Sequence, residues 1–309
     1  MVKDSAVNLR DFGAVGDGVT DDTTAVQAAW AHCVTNKVAL YIPTGIYNYT
    51  SLNNAVPVKR LFGDGDGSVL RYTGGDANDA MGFQGSSSLY VTLSWQDFTL
   101  KSDGNSTGRG ISFDSNGSVG GFQQSNFTNI AVFGFGDAKT FTDWANATVY
   151  AANDVVLSGG VLFQTTTGGT TNGTYVADDI GITDWTEYSP VSAWHLKDCW
   201  EITLTRCDGR GSTVGWLLNR VNDVSLISCN ARRNAYIQLD IGGSTAVNIS
   251  GGNYATGSNG EGTGSIGIRL GNSFGRAAGV SLFGIYTEST DVALDLRSVK
   301  GLTMGGCRF

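Results

Sequence analysis

The sequence predicts an all-β chain: a right-handed, single-stranded parallel β-helix with a short N-terminal capping helix and a small inserted β module. Three observations lead there. One six-residue strand pattern returns at a spacing in the low twenties, and a second pattern returns in step with it. Glycine fills 44 of 309 positions, about twice its usual share.

The first pattern occurs at residues 95–100, 127–132, 199–204, 221–226, 244–249, 277–282 and 299–304. Each copy has apolar residues at its fourth and sixth places with a small polar residue or alanine between, the alternation of a half-buried strand. The last five copies are separated by 22, 23, 33 and 22 residues. A β period of that size means a solenoid with one coil per repeat. The long interval holds a coil plus a loop, visible as the Gly/Ser-rich run 256–265. Cys207, Cys229 and Cys307 share one place in three coils and read as core-lining thiols.

The second pattern, small–apolar–x–apolar, occurs at 110–113, 193–196, 215–218, 267–270 and 293–296, and 236–239 aligns with it despite a larger first residue. Its outward positions should stack as Ser112, His195, Leu217, Gln238, Arg269 and Asp295. A second column two residues on should hold Asp114, Lys197, Asn219, Asp240, Gly271 and Arg297, giving a polar wall as the candidate groove. From 127 to 199 the interval is 72 residues, one coil plus about 50 more. The expected organisation is an opening segment with the capping helix at 1–60, coils at 61–141 and 193–309, and an insert at 142–192.

Twenty basic against 28 acidic residues leave a net charge of −8. A nucleic-acid partner calls for a basic stripe and is not expected. Neutral glycans, or acidic ones held locally by arginine, remain as ligands. No segment has the length and apolarity of a membrane span, so no membrane insertion is expected, and residues 1–5 lack the apolar run of a secretory signal. Five cysteines, an odd number without metal-type spacing, point to neither a disulfide framework nor a metal site; no cofactor is expected.

Residues 7–47 read VNLRDFGAVGDGVTDDTTAVQAAWAHCVTNKVALYIPTGIY. Asp21, Asp22 and Thr23 suit a helix start, and 25–33 is good helix material. Such a helix closes the end of the stack and hides strand edges. Asp17, Asp21 and Asp22 are therefore read as cap and turn formers rather than a catalytic cluster. The segment resembles the start of pectate-lyase-like β-helices of phage tailspikes and bacterial polysaccharide depolymerases. Asp11-Phe12-Gly13-Ala14, Gly16-Asp17-Gly18, Thr20-Asp21-Asp22-Thr23, Gln27-Ala28 and Pro43-Thr44-Gly45 carry the resemblance, with Arg60 to Gly65 as the next landmark.

In the insert, Trp144, Tyr150, residues 154–156, Gly160, 162–164 and Trp185 resemble a small chitin- or cellulose-binding type module. Rings in that family lie flat against the apolar C–H faces of sugars, so the resemblance implies Trp144, Tyr150 and Trp185 as sugar contacts. The alternative is that so small a module spends its aromatics on its own core.

Glycoside hydrolysis needs two carboxyl groups. Asp240 and Asp295, read as two coils and two residues apart, would stand about 12 Å apart at the backbone. Glu288, in Tyr286-Thr287-Glu288, enters the same coil as Asp295, and these three are the candidate catalytic acids. A lyase would instead set a base and an Arg or Lys against an enolate-like intermediate, with Lys197, Arg269 and Arg297 available. His195 and Gln238 complete the candidate substrate-binding set. The alternative for the adjacent Arg269 and Asp295 is a surface salt bridge. The sequence shows neither a GHG-type histidine signature of polygalacturonases nor a calcium-binding aspartate cluster of pectate lyases, which argues against plant pectin as substrate.

The resemblance implies a phage tailspike-type protein that binds and depolymerises a bacterial surface polysaccharide (capsule, O-antigen or exopolysaccharide). It further implies a homotrimer, contacts with other virion tail proteins, and a virion or extracellular location reached from the host cytoplasm without a signal peptide. The other readings are a non-catalytic receptor-binding or structural appendage and a polysaccharide lyase. Because Gly305-Gly306-Cys307-Arg308-Phe309 falls within a coil, further coils of a longer spike or another chain are expected to cover that end.

Overall fold

Stacking turns the alternation within each strand into continuous inward columns. The computed structural model describes residues 6–309 apart from 53–55, 76–77, 86–90, 104–107, 116–120, 136–141, 153, 159–160, 174–175, 177–178, 180, 188–190 and 257–264. Ten strands, from Ala6–Asn8 to Val299–Gly305, pair in parallel down one face, and seven, from Met81–Gln84 to Val292–Leu296, down a second. Ile202 pairs with Val224 and Val224 with Val247, while Leu204, Leu226, Ile249 and Leu282 pair in turn. All seven are buried. This is the right-handed parallel β-helix that the repeats predict. A third face of short strands, including Asp208–Arg210, Asn230–Arg232 and Tyr254–Ala255, escapes sequence reading because two or three residues are too few to show alternation.

One left-handed residue per coil turns the chain from the first face to the third: Asp97, Asn129, Arg206, Ser228, Gly251, Gly284 and Gly306, with φ between 51° and 69°. In a non-glycine residue that conformation costs about 1–2 kcal/mol. Side-chain bonds run along the ladder to offset it: Asn129 donates to Asp97 at 2.8 Å, and Arg206 donates to Asn129 at 2.7 Å.

Two registers differ from expectation. Phe127 pairs with Leu204 rather than Cys199, and Val132 pairs with Gly209. Ser94–Ser102 and Gln123–Phe133 run unbroken through the corner and carry apolar pairs on both faces, which makes the two halves of each look alike in sequence. On the second face Leu239 pairs with Trp216 and Asp240 with Leu217, so the 236–239 alignment is two residues out. A slip of two preserves inside and outside, and apolar alternation alone does not detect it.

Large rings fill the core. Trp194 stacks on Trp216 at 4.9 Å and 10°, and each indole N–H donates to a carbonyl one coil apart, Asp208 at 3.1 Å and Asn230 at 2.9 Å. Trp30, Phe83 and Phe113 form another stack with centroids 5.8 and 5.5 Å apart. Trp30 belongs to the helix Thr23–Asn36, whose Ala25, Val26, Ala29, Trp30 and Cys33 are buried against the coils, so the helix closes that end. Asp21 accepts from the Thr23 backbone N–H at 2.9 Å. Asp22 instead reaches back to the amides of Val15 and Gly16, at 2.7 and 3.1 Å, and tethers the preceding loop. The five cysteines are free thiols.

Between residues 142 and 187 the chain leaves the coils. Thr142–Asp143, Val155–Ser158, Val161–Gln164 and Thr186–Glu187 form a four-stranded sheet, and Val149–Tyr150 pairs with Gly169–Thr170. Val155 of this module packs on Val214, Leu217, Tyr236, Ile237 and Ile266, which docks the module on the outside of the second face. No helix among the described residues is long and apolar enough to cross a membrane.

Candidate active site

On the second face the outward column reads Gly82, Ser112, His195, Leu217, Asp240, Arg269 and Asp295. The register correction moves Asp240 into this column and removes Gln238. Gln238 is fully buried, its amide locked to Asn234 by bonds of 2.9 and 3.0 Å, and it is not a substrate contact. The column is also no open wall: Val155 of the module packs on Leu217 in its middle, and the rungs on either side are buried. Asp240 is 1% exposed and Arg269 8%. Arg269 Nε lies 3.1 Å from Asp240 Oδ1, its Nη2 donates to Oδ2, and Asn272 donates to Oδ1 at 3.0 Å. A carboxylate so enclosed has no lone pair facing a glycan, which removes Asp240 and Arg269 from the exposed candidates. Arg269 pairs with Asp240 rather than with Asp295.

His195 is 2% exposed, with Nδ1 3.0 Å from the Ser112 hydroxyl. Burial pushes its pKa well below the ordinary value, and the charges of Arg109 and Lys197 push the same way. It is a neutral, buried ring rather than a sugar contact. Asp295 and Arg297 stay partly exposed and bond to each other at 2.8 Å along one strand. Glu288 is exposed, and its bond to the Tyr286 hydroxyl raises that phenol's pKa.

The opening the module leaves lies nearer the helix, at the rungs Met81–Gln84 and Ile111–Asp114. There a cleft of 470 Å³ is lined by Asp79, Arg109, Asp114, Ser112, Gln84 and Asn78, among others. Lys197 donates to Asp114 at 2.8 Å. The Arg109 backbone N–H donates to Asp79 at 3.0 Å, with its guanidinium 3.8 Å from the same carboxylate. Two carboxylates and the Arg109 cation thus line one polar concavity. Lys197, a predicted contact, reaches it only through its bond to Asp114. Asp114 stood in the predicted second column, but Asp79 and Arg109 lie outside the strands, and coil alignment gives them no address.

In the module, Tyr150 is 7% exposed and meets Trp185 edge-on at 5.8 Å. Trp144, Phe163 and Trp185 pack on Tyr150, Val156, Val176 and Ile182, and the Trp185 indole donates to Asp179 at 2.8 Å. Tyr150 therefore belongs to the module's own core and has no face to offer a sugar. Trp144 and Trp185 are half-buried in the same cluster.

Parallel coils in three faces, closed by a helix and carrying a polar cleft, define a parallel β-helix protein. The chain belongs to the Rhamnogalacturonase A/epimerase, pectate lyase-like family, whose model matches residues 6–199. It is 32% identical over 111 residues to a glucan 1,3-beta-glucosidase of Cochliobolus carbonum, covering 34% of this chain and 14% of that one. It is 29% identical over 138 residues to a probable rhamnogalacturonase C of Aspergillus flavus, covering 43% of this chain and 28% of that protein. The chain thus spans less than a third of either relative. Among solved structures, the gp42 tailspike of Acinetobacter phage vb_AbaP_AS12 superposes with a TM-score of 0.60 at 10% identity, over 98% of this chain and 45% of the tailspike. That likeness concerns the fold.

Proposed function

We propose that the chain cleaves a polysaccharide in the cleft between Asp79 and Asp114. The observation that carries this reading is the meeting of two carboxylates, each held by a cation, in a 470 Å³ concavity on the uncovered part of the second face. Family membership supports it. Glycosidic hydrolysis asks for one carboxyl to protonate the leaving oxygen and another to activate water or attack the sugar. Asp79 and Asp114 are the two carboxyls offered for these roles, with Lys197 orienting Asp114. The finer reading is a bacterial surface polysaccharide as substrate and a trimeric tailspike-like assembly on a virion tail. The tailspike-like opening segment and the fold likeness support that much.

Glu288 and Asp295 remain a rival pair of acids because both reach solvent. Incubation of the chain with a panel of capsular and O-antigen polysaccharides, read by chain length and reducing ends, separates the two. Asp79→Asn and Asp114→Asn are expected to abolish shortening, while Glu288→Gln and Asp295→Asn leave it intact. The reverse pattern moves the chemistry to the far end. Binding with no shortening by the unaltered chain favours a receptor-binding appendage, and products with unsaturated ends favour a lyase.

A further inference from the structure

The third face gathers charges that are far apart in sequence. Arg71 pairs with Lys101, and Lys101 with Phe133. Phe133 then pairs with Arg210, and Arg210 with Arg232. Five successive rungs thus present Arg71, Lys101, Phe133, Arg210 and Arg232 in one column, about 4.8 Å apart. Arg233 follows directly, exposed at the corner. In a chain of net charge −8 this is a local reversal of sign.

The acids nearby do not cancel it. Asp208 accepts from both Arg210, at 2.9 Å, and Arg232, at 3.0 Å, and Asp66 acts on Arg210 through space. Asp103 is exposed close to Lys101 in sequence. Arg71 is spent inward, on Asn48 and the Gly18 carbonyl. Each guanidinium has five N–H donors, and Asp208 engages few of them. Arg210 and Arg232 keep 35% and 42% of their side chains exposed, and Lys101 is exposed. The Arg210 guanidinium carbon lies over the Phe133 ring, 4.0 Å from its centroid, a cation–π contact that holds the side chain on this face.

We propose that this column is a binding site for a linear acidic polysaccharide, its carboxylates received in turn by Lys101, Arg210, Arg232 and Arg233. The site is separate from the cleft and binds rather than cleaves; its choice of a glycan rests on the function proposed above. The Arg210 and Arg232 forks one coil apart, with Lys101 two rungs further along and Arg233 beside Arg232, suit carboxylates spaced along an extended chain. Nucleic acid fits less well, because the Phe133 face that a base would stack on is already covered by Arg210.

The test uses the 309-residue chain carrying Asp114→Asn, so that cleavage does not obscure binding. Polygalacturonate is the probe, uncharged dextran the control, and a mixed-sequence single-stranded oligonucleotide the competitor, with affinity electrophoresis at two salt concentrations as readout. Polygalacturonate is expected to retard the chain, and dextran is not. Arg210→Gln with Arg232→Gln should weaken retardation about tenfold or more, and added salt should act in the same direction. Lys101→Gln, at an exposed residue whose loss leaves the fold intact, should weaken it by a smaller factor.

Retention of full affinity in both variants, or equal retardation by dextran, overturns the proposal. Tighter binding of the oligonucleotide than of polygalacturonate does so too and makes the face a nucleic-acid site. Restoring Asp114 separates the two readings: cleavage by the restored chain, with full retardation kept by the column variants, leaves the cleft reading standing while the column fails. Column binding without any cleavage leaves the reverse.

Discussion

Asp240 and Arg269 occupy neighbouring rungs of the second face as a buried two-point ion pair. The pair is a structural element. Removing the carboxylate strands a buried guanidinium, so Asp240→Ala is expected to lower stability by about 3–5 kcal/mol. Urea unfolding of the variant measures this. Unchanged stability together with lost cleavage would return Asp240 to the chemistry.

His195 makes stability depend on pH with a definite sign. Its folded pKa is depressed well below the ordinary 6.5, so the unfolded chain takes up the proton first as pH falls. The stability that neutral His195 contributes is present above about pH 6.5 and is lost progressively below it, at up to about 1.4 kcal/mol per pH unit. His195→Gln is expected to flatten this slope. A denaturation midpoint measured at several values between pH 7 and 5 checks it.

The Trp194–Trp216 stack lies at the centre of the coils, with both rings fully buried. Trp216→Ala leaves a cavity and an unanswered Asn230 carbonyl and should cost about 3–5 kcal/mol. Trp216→Phe keeps a six-membered ring in the stack, loses the hydrogen bond and part of the indole volume, and should cost less than Trp216→Ala, which a comparison of the two midpoints resolves.

Docking of the module rests on an apolar contact through Val155. Val155→Asp buries a charge against Leu217 and Ile237 and is expected to release the module without unfolding the coils. Limited proteolysis should then cut within 142–192 much faster, and amide exchange at His195 and Asp240 should accelerate. Unchanged exchange at those two residues would mean that something other than the module buries them.

Thiol chemistry gives a simple check of the core. Cys33, Cys199, Cys207 and Cys229 are buried, and burial raises the pKa of Cys33 to about 11, with that of Cys199 pushed higher still. Only the partly exposed Cys307 is expected to react quickly with an aromatic disulfide reagent in the native chain, and all five in denaturant.

The repeat was legible in the sequence because each coil must bury two alternating apolar residues per strand. Val224, Val247, Leu226 and Ile249 declare their rungs by that rule alone. The opening segment likewise displays its helix and its family through local chemistry. Registers across long strands and at 236–239 were not legible, since shifts that keep inside inside leave the apolar pattern unchanged. The site depended on more still. Which outward residues meet solvent was decided by tertiary contacts, such as that of Val155 with Leu217, which no spacing singles out. Asp79 came to share a cleft with Asp114, and Lys101 came to align with Arg210 and Arg232, only when coils dozens of residues apart were stacked at a single rise. Sequence by itself determined the period, the core positions and the family. The tertiary structure decided the cleft and the charged column, because both consist of distances between rungs, and a linear pattern holds no distances.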